Sequence, residues 1–448
     1  MKKIHFLGIG GIGMSALARW AIFNDYMVSG YDRERSSITD QLEGEGVNIF
    51  FNRNYIYNIT LKDFSDFIVY SSAFKDNHPI LNFFKINNFK ILKRSFFLSE
   101  ITSSYKVIAI AGTHGKTTIS CMLSHILKNS GFDCNAFIGG VSKNYNTNIL
   151  IGSSKLMVVE ADEYDRSFLS LSPFIGLISS IDKDHGDTYK TYDDMVFAYT
   201  TFAKKCKNII IHNNLKKTFR KNKINNTISY SYLGGKIEGY TLLAHYNYDN
   251  SLINLQIKKD NQFLFDLDID LIPKYNIENL LAAISIAIEL NINYENIIDA
   301  IKSFKGVFRR FEYHIKTNNL ILIEDYAHHP IELKSLIDDT IFLYPKKEIT
   351  LVFQPHLFSR TKDFLDEFAM VLSKVDRLIL LDIYAARESP ITNFGIQDLL
   401  SSVTLNNKIL LEKKDVCKYL IQSDCELIII AGAGDISNLV PDLKSQLL

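Results

Sequence analysis

The stretch Val107-Ile108-Ala109-Ile110-Ala111-Gly112-Thr113-His114-Gly115-Lys116-Thr117-Thr118 decides how this chain is read. A continuous apolar run entering a glycine-flanked turn predicts a buried strand, and the lysine and threonines open the next segment. This order lets backbone N–H groups and a helix N-terminus face phosphates. Lys116 is expected to meet the β- and γ-phosphates of ATP, with Thr117 on Mg2+ and Gly112, Thr113, His114, Gly115 and Thr118 completing the loop. The usual phosphate-loop spacing places its first glycine where this chain has Ile110, so the loop is a shortened one.

Outward from that loop, the run Met157-Val158-Val159 ends in Glu160-Ala161-Asp162-Glu163. Carboxylates at a buried strand end lie on the edge where open α/β sheets bind ligands. Glu160 is the best candidate for the oxygen ligand that Mg2+ needs beside Thr117. The following apolar run ends in Asp182-Lys183-Asp184-His185-Gly186-Asp187. Histidine suits a hard cation poorly, so on chemistry alone His185 is either a metal ligand or a hydrogen-bonding histidine. No set of His and Cys residues has zinc spacing.

At the N-terminus, Gly8-Ile9-Gly10-Gly11-Ile12-Gly13 follows a short strand, and Asp32 ends the next one, as in the dinucleotide fingerprint. These glycines license close approach of backbone to a diphosphate, which serves NAD or a UDP-sugar equally. In the last third, Asp325-Tyr326-Ala327-His328-His329-Pro330 ends another strand, a place suited to orienting a ribose, a carboxylate or an amine. Arg360, in Phe353-Gln354-Pro355-His356-Leu357-Phe358-Ser359-Arg360, could clamp a substrate carboxylate.

Alternating strand-like and helix-like segments predict an α/β protein with parallel sheets. Three domains are expected, at 1–104, 105–305 and 306–448, and period-two alternation from about Thr227 to Leu271 reads as antiparallel strands inserted into the second. Gly234-Gly235 and Asp249-Asn250 are its predicted turns. Lys+Arg and Asp+Glu number 50 each, so no charge excess favours nucleic acid or an anionic membrane. Five cysteines without a CxxC pair fit a reducing compartment, and the first apolar run is too short for a signal peptide or a membrane span. A cytoplasmic location is expected.

Together, GIGGIGMSALA (residues 8–18), GTHGKTT (112–118), EADEYDRSFL (160–169), DYAHHP (325–330) and FQPHLFSRT (353–361) resemble the Mur ligase family, and their order makes the likeness specific. The resemblance implies an N-terminal Rossmann-like UDP-binding domain, a central P-loop-type ATPase domain and a C-terminal Rossmann-like domain. It implies ATP, Mg2+, UDP-N-acetylmuramate and L-alanine as ligands, and amide-bond formation through an acyl phosphate. By this likeness Gly10, Gly11, Ile12, Met14, Ser15 and Asp32 bind the UDP-sugar, so the first loop serves UDP rather than NAD. Thr117 and Glu160 hold one Mg2+ and His185 a second. Asn276 and Asn279 fall in the adenine-contacting stretch, Arg310 reaches phosphate and Asp325 the ribose. Tyr326, His328 and Arg360 surround the amino acid, with Lys116, Arg310 and His328 as the catalytic set. Tyr275 stands where the family usually has histidine. A peptide-recycling member of the family is the nearer alternative; a nicotinamide-dependent dehydrogenase would leave Lys116 and Glu160 without purpose.

Overall fold

The computed structural model describes residues 2–61, 64–183, 188–232, 237–248, 251–386 and 388–447. His185 and both predicted turns, Gly234-Gly235 and Asp249-Asn250, lie outside the described residues. Two compact units make up the chain: Met1–Asn247 with Ile253–Ile269 and Glu278–Lys305, and Gly306–Leu448 with Tyr248–Leu252 and Asp270–Ile277.

The first unit holds two sheets. Strands β1 (Lys3–Leu7), β2 (Met27–Tyr31), β3 (Asn48–Phe50), β4 (Phe67–Tyr70) and β5 (Lys90–Lys93) form a parallel sheet in the order β3-β2-β1-β4-β5. Strand order reverses beside β1, and the crevice at such a switch point is where open sheets bind ligands. The glycine turn Gly8–Gly13 leaves β1 there, and Gly8 takes φ +83°, a conformation that favours glycine. Within this sheet His5 is fully buried, its ring nitrogens bonded to Ser29 Oγ at 2.8 Å and Tyr55 Oη at 2.7 Å. Burial pushes its pKa down to about 3.

The second sheet has ten strands: β6 (Lys106–Ala111), β7 (Asn135–Ser142), β8 (Thr147–Leu150), β9 (Leu156–Glu160), β10 (Ile175–Ile178), β11 (Asn208–His212), β12 (Ile228–Ser231), β13 (Gly239–Asn247), β14 (Leu252–Lys259) and β15 (Gln262–Asp270). Their order is β15-β14-β13-β12-β11-β10-β6-β9-β7-β8. The predicted apolar strand is β6, whose Ile108 to Ala111 are wholly buried, with parallel β9 and β10 on either side. Its exit, Glu160 and the Ser179–Asp182 turn are therefore neighbours on one edge. Of the expected antiparallel insertion, β13, β14 and β15 follow one another as neighbours at the edge of this mixed sheet, and the correction is confined to its start, where β12 pairs parallel with β11 and β13 parallel with β12. These strands extend the sheet. The antiparallel pair β7–β8 went unpredicted.

The second unit carries β16 (Glu312–Lys316), β17 (Ile321–Asp325), β18 (Ile349–Phe353), β19 (Arg377–Leu380), β20 (Lys408–Leu410) and β21 (Leu427–Ala431), ordered β16-β17-β21-β18-β19-β20. All pairings are parallel except the edge pair β16–β17. The α/β class predicted from alternation is thus the class observed. Among the described residues no helix is long and apolar enough to cross a membrane. All five cysteines are free thiols, and burial raises the pKa of Cys121 and Cys206 to about 12.

Candidate active site

The loop after β6 is held open by its glycines. Gly115 adopts φ +82° and caps the helix Lys116–Asn129, which has neither a side-chain cap nor an acidic residue in its first turn. Its first amides therefore keep their attraction for an anion. Gly112, at φ +134°, lies so close to Ser179 Oγ that a side chain there would overlap it. The β10 exit braces the loop: Ser179 Oγ donates to the His114 carbonyl at 2.5 Å, and Thr113 Oγ1 accepts from the Asp182 amide at 2.9 Å. His114 Nε2 lies 3.4 Å from Asp182 Oδ2. Thr118 is buried in the first turn of the helix.

Lys116 bends back over the loop, donating to the carbonyls of Gly112 at 2.6 Å and Thr113 at 3.2 Å. Its ammonium also lies 2.7 Å from Glu163 Oε2 and 3.0 Å from Oε1. Burial alone would lower its pKa, but Glu163, Asp162 and Glu160 outweigh that and raise it. Lys116 is thus a fixed cation at the loop mouth.

Beside it, Thr117 Oγ1 donates to Glu160 Oε1 at 3.1 Å, while Glu160 Oε2 accepts from the Gly139 amide at 2.8 Å. A hydroxyl and a carboxylate in contact at a phosphate loop are hard oxygen donors, a set that fits Mg2+. Gly139 is bare for a reason, since a Cβ there would overlap the Glu160 carboxylate. Asn279, on the helix Lys274–Glu289, sets its Oδ1 against Gly115. Sequence reasoning missed Gly139 and Glu163. Gly139-Gly140 inside a strand was a signal of close approach, whereas Glu163 had none beyond its acidic neighbours.

In the first sheet, Asp32 Oδ2 accepts from the Gly10 amide at 2.7 Å and Oδ1 from the Arg33 amide at 2.7 Å. The carboxylate shapes the glycine loop directly. Gly11 is the uncapped N-cap of the helix Ile12–Phe23. Met14 and Ser15 are buried, and Asn148 of β8 donates to Ser15 Oγ at 3.0 Å and to the Ile12 carbonyl at 2.6 Å.

In the second unit, Asp325 ends β17 with both oxygens engaged, Oδ2 by the Phe311 amide and Oδ1 by the Ala327 amide, each at 2.7 Å. Burial raises its pKa to about 6 despite the Arg310 charge. Tyr275 Oη reaches Asp325 Oδ2 at 3.5 Å, and Asn276 follows in that unit. Arg309 and Phe311 take positive φ, 60° and 48°. Arg309 donates to the carbonyls of Gly432 at 2.7 Å and Gly434 at 3.1 Å and pairs with Glu324 at 3.1 Å. Arg310 lies with its guanidinium 4.9 Å from the Tyr326 ring centroid. Tyr326 and His328 meet at 5.3 Å between rings, and His328 and His356 at 5.8 Å. His328 Nδ1 lies 3.0 Å from the Tyr326 carbonyl and 3.3 Å from Glu332. Arg360 lies in the short helix Phe358–Asp363, entered through Leu357 at φ +74°. The structure therefore gathers Arg310, Tyr326 and His328 and fixes Asp325 at the same strand end.

A doubly wound fold with an anion-binding loop, a clamped lysine and an oxygen-rich strand end defines a nucleotide-binding α/β enzyme. Three family models match nearly end to end: the Mur ligase family catalytic domain over residues 3–106, the Mur ligase middle domain over 110–287 and the Mur ligase glutamate ligase domain over 309–433. The chain belongs to the Mur ligase family. It is 38% identical over 464 residues to a UDP-N-acetylmuramate–L-alanine ligase of Cytophaga hutchinsonii, covering 99% of this chain and 96% of that protein. It is 40% identical over 455 residues to the protein of the same name from Flavobacterium psychrophilum, covering 100% and 98%. Its fold matches the crystal structure of a UDP-N-acetylmuramate–alanine ligase from Thermotoga maritima with a TM-score of 0.83, 24% identity and coverage of 100% and 99%. A murein peptide ligase from Psychrobacter arcticus matches at 0.71, with 22% identity and coverage of 100% and 99%.

Proposed function

We propose that this chain is an ATP-dependent ligase joining the lactyl carboxylate of UDP-N-acetylmuramate to the amine of L-alanine, in the synthesis of peptidoglycan precursors. The observation that carries the reading is the phosphate loop with Lys116 clamped over it and Thr117 on Glu160, in a chain alignable from end to end with ligases of that name. Domain limits of 1–104, 105–305 and 306–448 belong to the same proposal, as does a cytoplasmic location.

Amide formation in water is unfavourable, so the carboxylate must first be activated. Its oxygen attacks the γ-phosphorus of ATP, the bond to the bridging oxygen breaks, and ADP leaves an acyl phosphate. The alanine amine then attacks the acyl carbon, and phosphate departs. Lys116 and Arg310 are assigned to the charge gathering on the transferred group, where fixed cations act most strongly. Mg2+ held by Thr117 and Glu160 would neutralise phosphate charge there, and His185 is assigned to a second ion. Gly10, Gly11, Ile12, Met14, Ser15 and Asp32 are assigned to the UDP-sugar; Asn276, Asn279 and Asp325 to adenosine; and Tyr326, His328 and Arg360 to the amino acid. Incubation with ATP, Mg2+, UDP-N-acetylmuramate and L-alanine should give the alanyl amide by mass spectrometry. Formation of a longer amide only, when a peptide replaces alanine, would favour the recycling activity instead.

A further inference from the structure

Arg94 opens the helix Arg94–Thr102, directly after β5, and no role in the reaction has been given to it so far. Its Nη1 would lie 3.2 Å from a Cβ built on Gly13, the last glycine of the first-sheet loop. Gly13 therefore lacks a side chain where a guanidinium presses on the first turn of the helix Ile12–Phe23. A guanidinium offers five N–H donors. Among the described residues its hydrogen-bond acceptor is Asp162 Oδ2 at 3.4 Å, longer than a well-made charge-assisted bond. The side chain is only 23% exposed. A mostly enclosed cation with most donors unspent is thus aimed at the loop where a diphosphate is assigned.

We infer that Arg94 is a substrate-binding residue that donates to the diphosphate of the UDP-sugar across Gly13. The inference rests on the UDP-sugar reading of that loop. It adds a cation to the residues assigned to the UDP-sugar, Gly10, Gly11, Ile12, Met14, Ser15 and Asp32, none of which carries one. The single bond to Asp162 then holds the guanidinium in place and leaves its remaining donors to the substrate.

Calorimetric titration of the full-length protein with UDP-N-acetylmuramate and, separately, with UDP tests it in the wild type, R94Q, R94K and D162N. Loss of a charge-assisted contact should weaken both ligands about tenfold or more in R94Q, with partial rescue in R94K and a distinctly smaller loss in D162N, which removes only the anchor. Equal weakening in D162N and R94Q would overturn it, because Arg94 would then act only through the ion pair. Weakening of UDP-N-acetylmuramate without UDP would also overturn it, moving the contact to the lactyl carboxylate. Unchanged affinity in R94Q, with a wild type that binds, sinks the Arg94 assignment alone. A wild type that binds neither ligand sinks the UDP-sugar reading, and this inference with it.

Discussion

Lys116 and Glu163 form a buried ion pair, the ammonium 2.7 Å from a carboxylate that is only 1% exposed. The lysine's remaining donors rest on the carbonyls of Gly112 and Thr113. Its position is therefore fixed by the protein before any phosphate arrives, which lowers the ordering cost of a long side chain.

Replacing Lys116 by Met should cost turnover on the order of a hundredfold or more, since a preorganised charge on the transferred group is lost. It should also cost roughly 3–5 kcal/mol of stability, because the buried carboxylate loses its ammonium partner. Denaturant unfolding of Lys116→Met and of the double variant with Glu163→Gln checks this. The double variant should regain stability and stay inactive.

Gly139→Ala should impair metal use without touching the phosphate loop, because the new Cβ would displace the Glu160 carboxylate. The Mg2+ concentration for half-maximal activity is expected to rise. An unchanged metal requirement would detach Glu160 from the ion.

How far the site could be read in the sequence depended on how local each relation is. Lys116, Thr117 and the β6 turn were legible because one strand, one glycine pair and one helix start make them. Glu160 was legible as a strand end. That Gly139 carries Glu160's second oxygen, that Ser179 braces Gly112, and that Arg94 crosses Gly13 are accidents of three-dimensional approach between distant segments. No spacing encodes them. The parallel pairing of β12 with β11, at the start of the stretch read as antiparallel, is likewise known only from the sheet.

His5 gives the fold an acid-sensitive element. Its pKa falls from 6.5 to about 3 on burial, so the stability tied to its neutral form is present above pH 6.5 and is lost as pH falls toward 3. A His5→Asn protein should be less stable at neutral pH, since the bonds to Ser29 and Tyr55 are disturbed, yet lose less stability on acidification. Denaturant midpoints measured from pH 7 to 4 decide it.

Asp325 has the opposite sign. Its carboxyl rises from 3.8 to about 6, so the stability it contributes is complete below pH 3.8 and is lost as pH rises through 6. Asp325→Asn should remove that component from the pH profile. It should also lower stability overall, because two amides, of Phe311 and Ala327, lose their shared carboxylate. A profile between pH 4 and 6 identical to the wild type's would contradict the assignment.

Phosphate release by the wild-type protein, followed with ATP and Mg2+ while each other substrate is omitted in turn, tests the central claim most directly. The ligase reading predicts sustained release only when UDP-N-acetylmuramate and L-alanine are both present. Equal release with neither, or none with both, would contradict it.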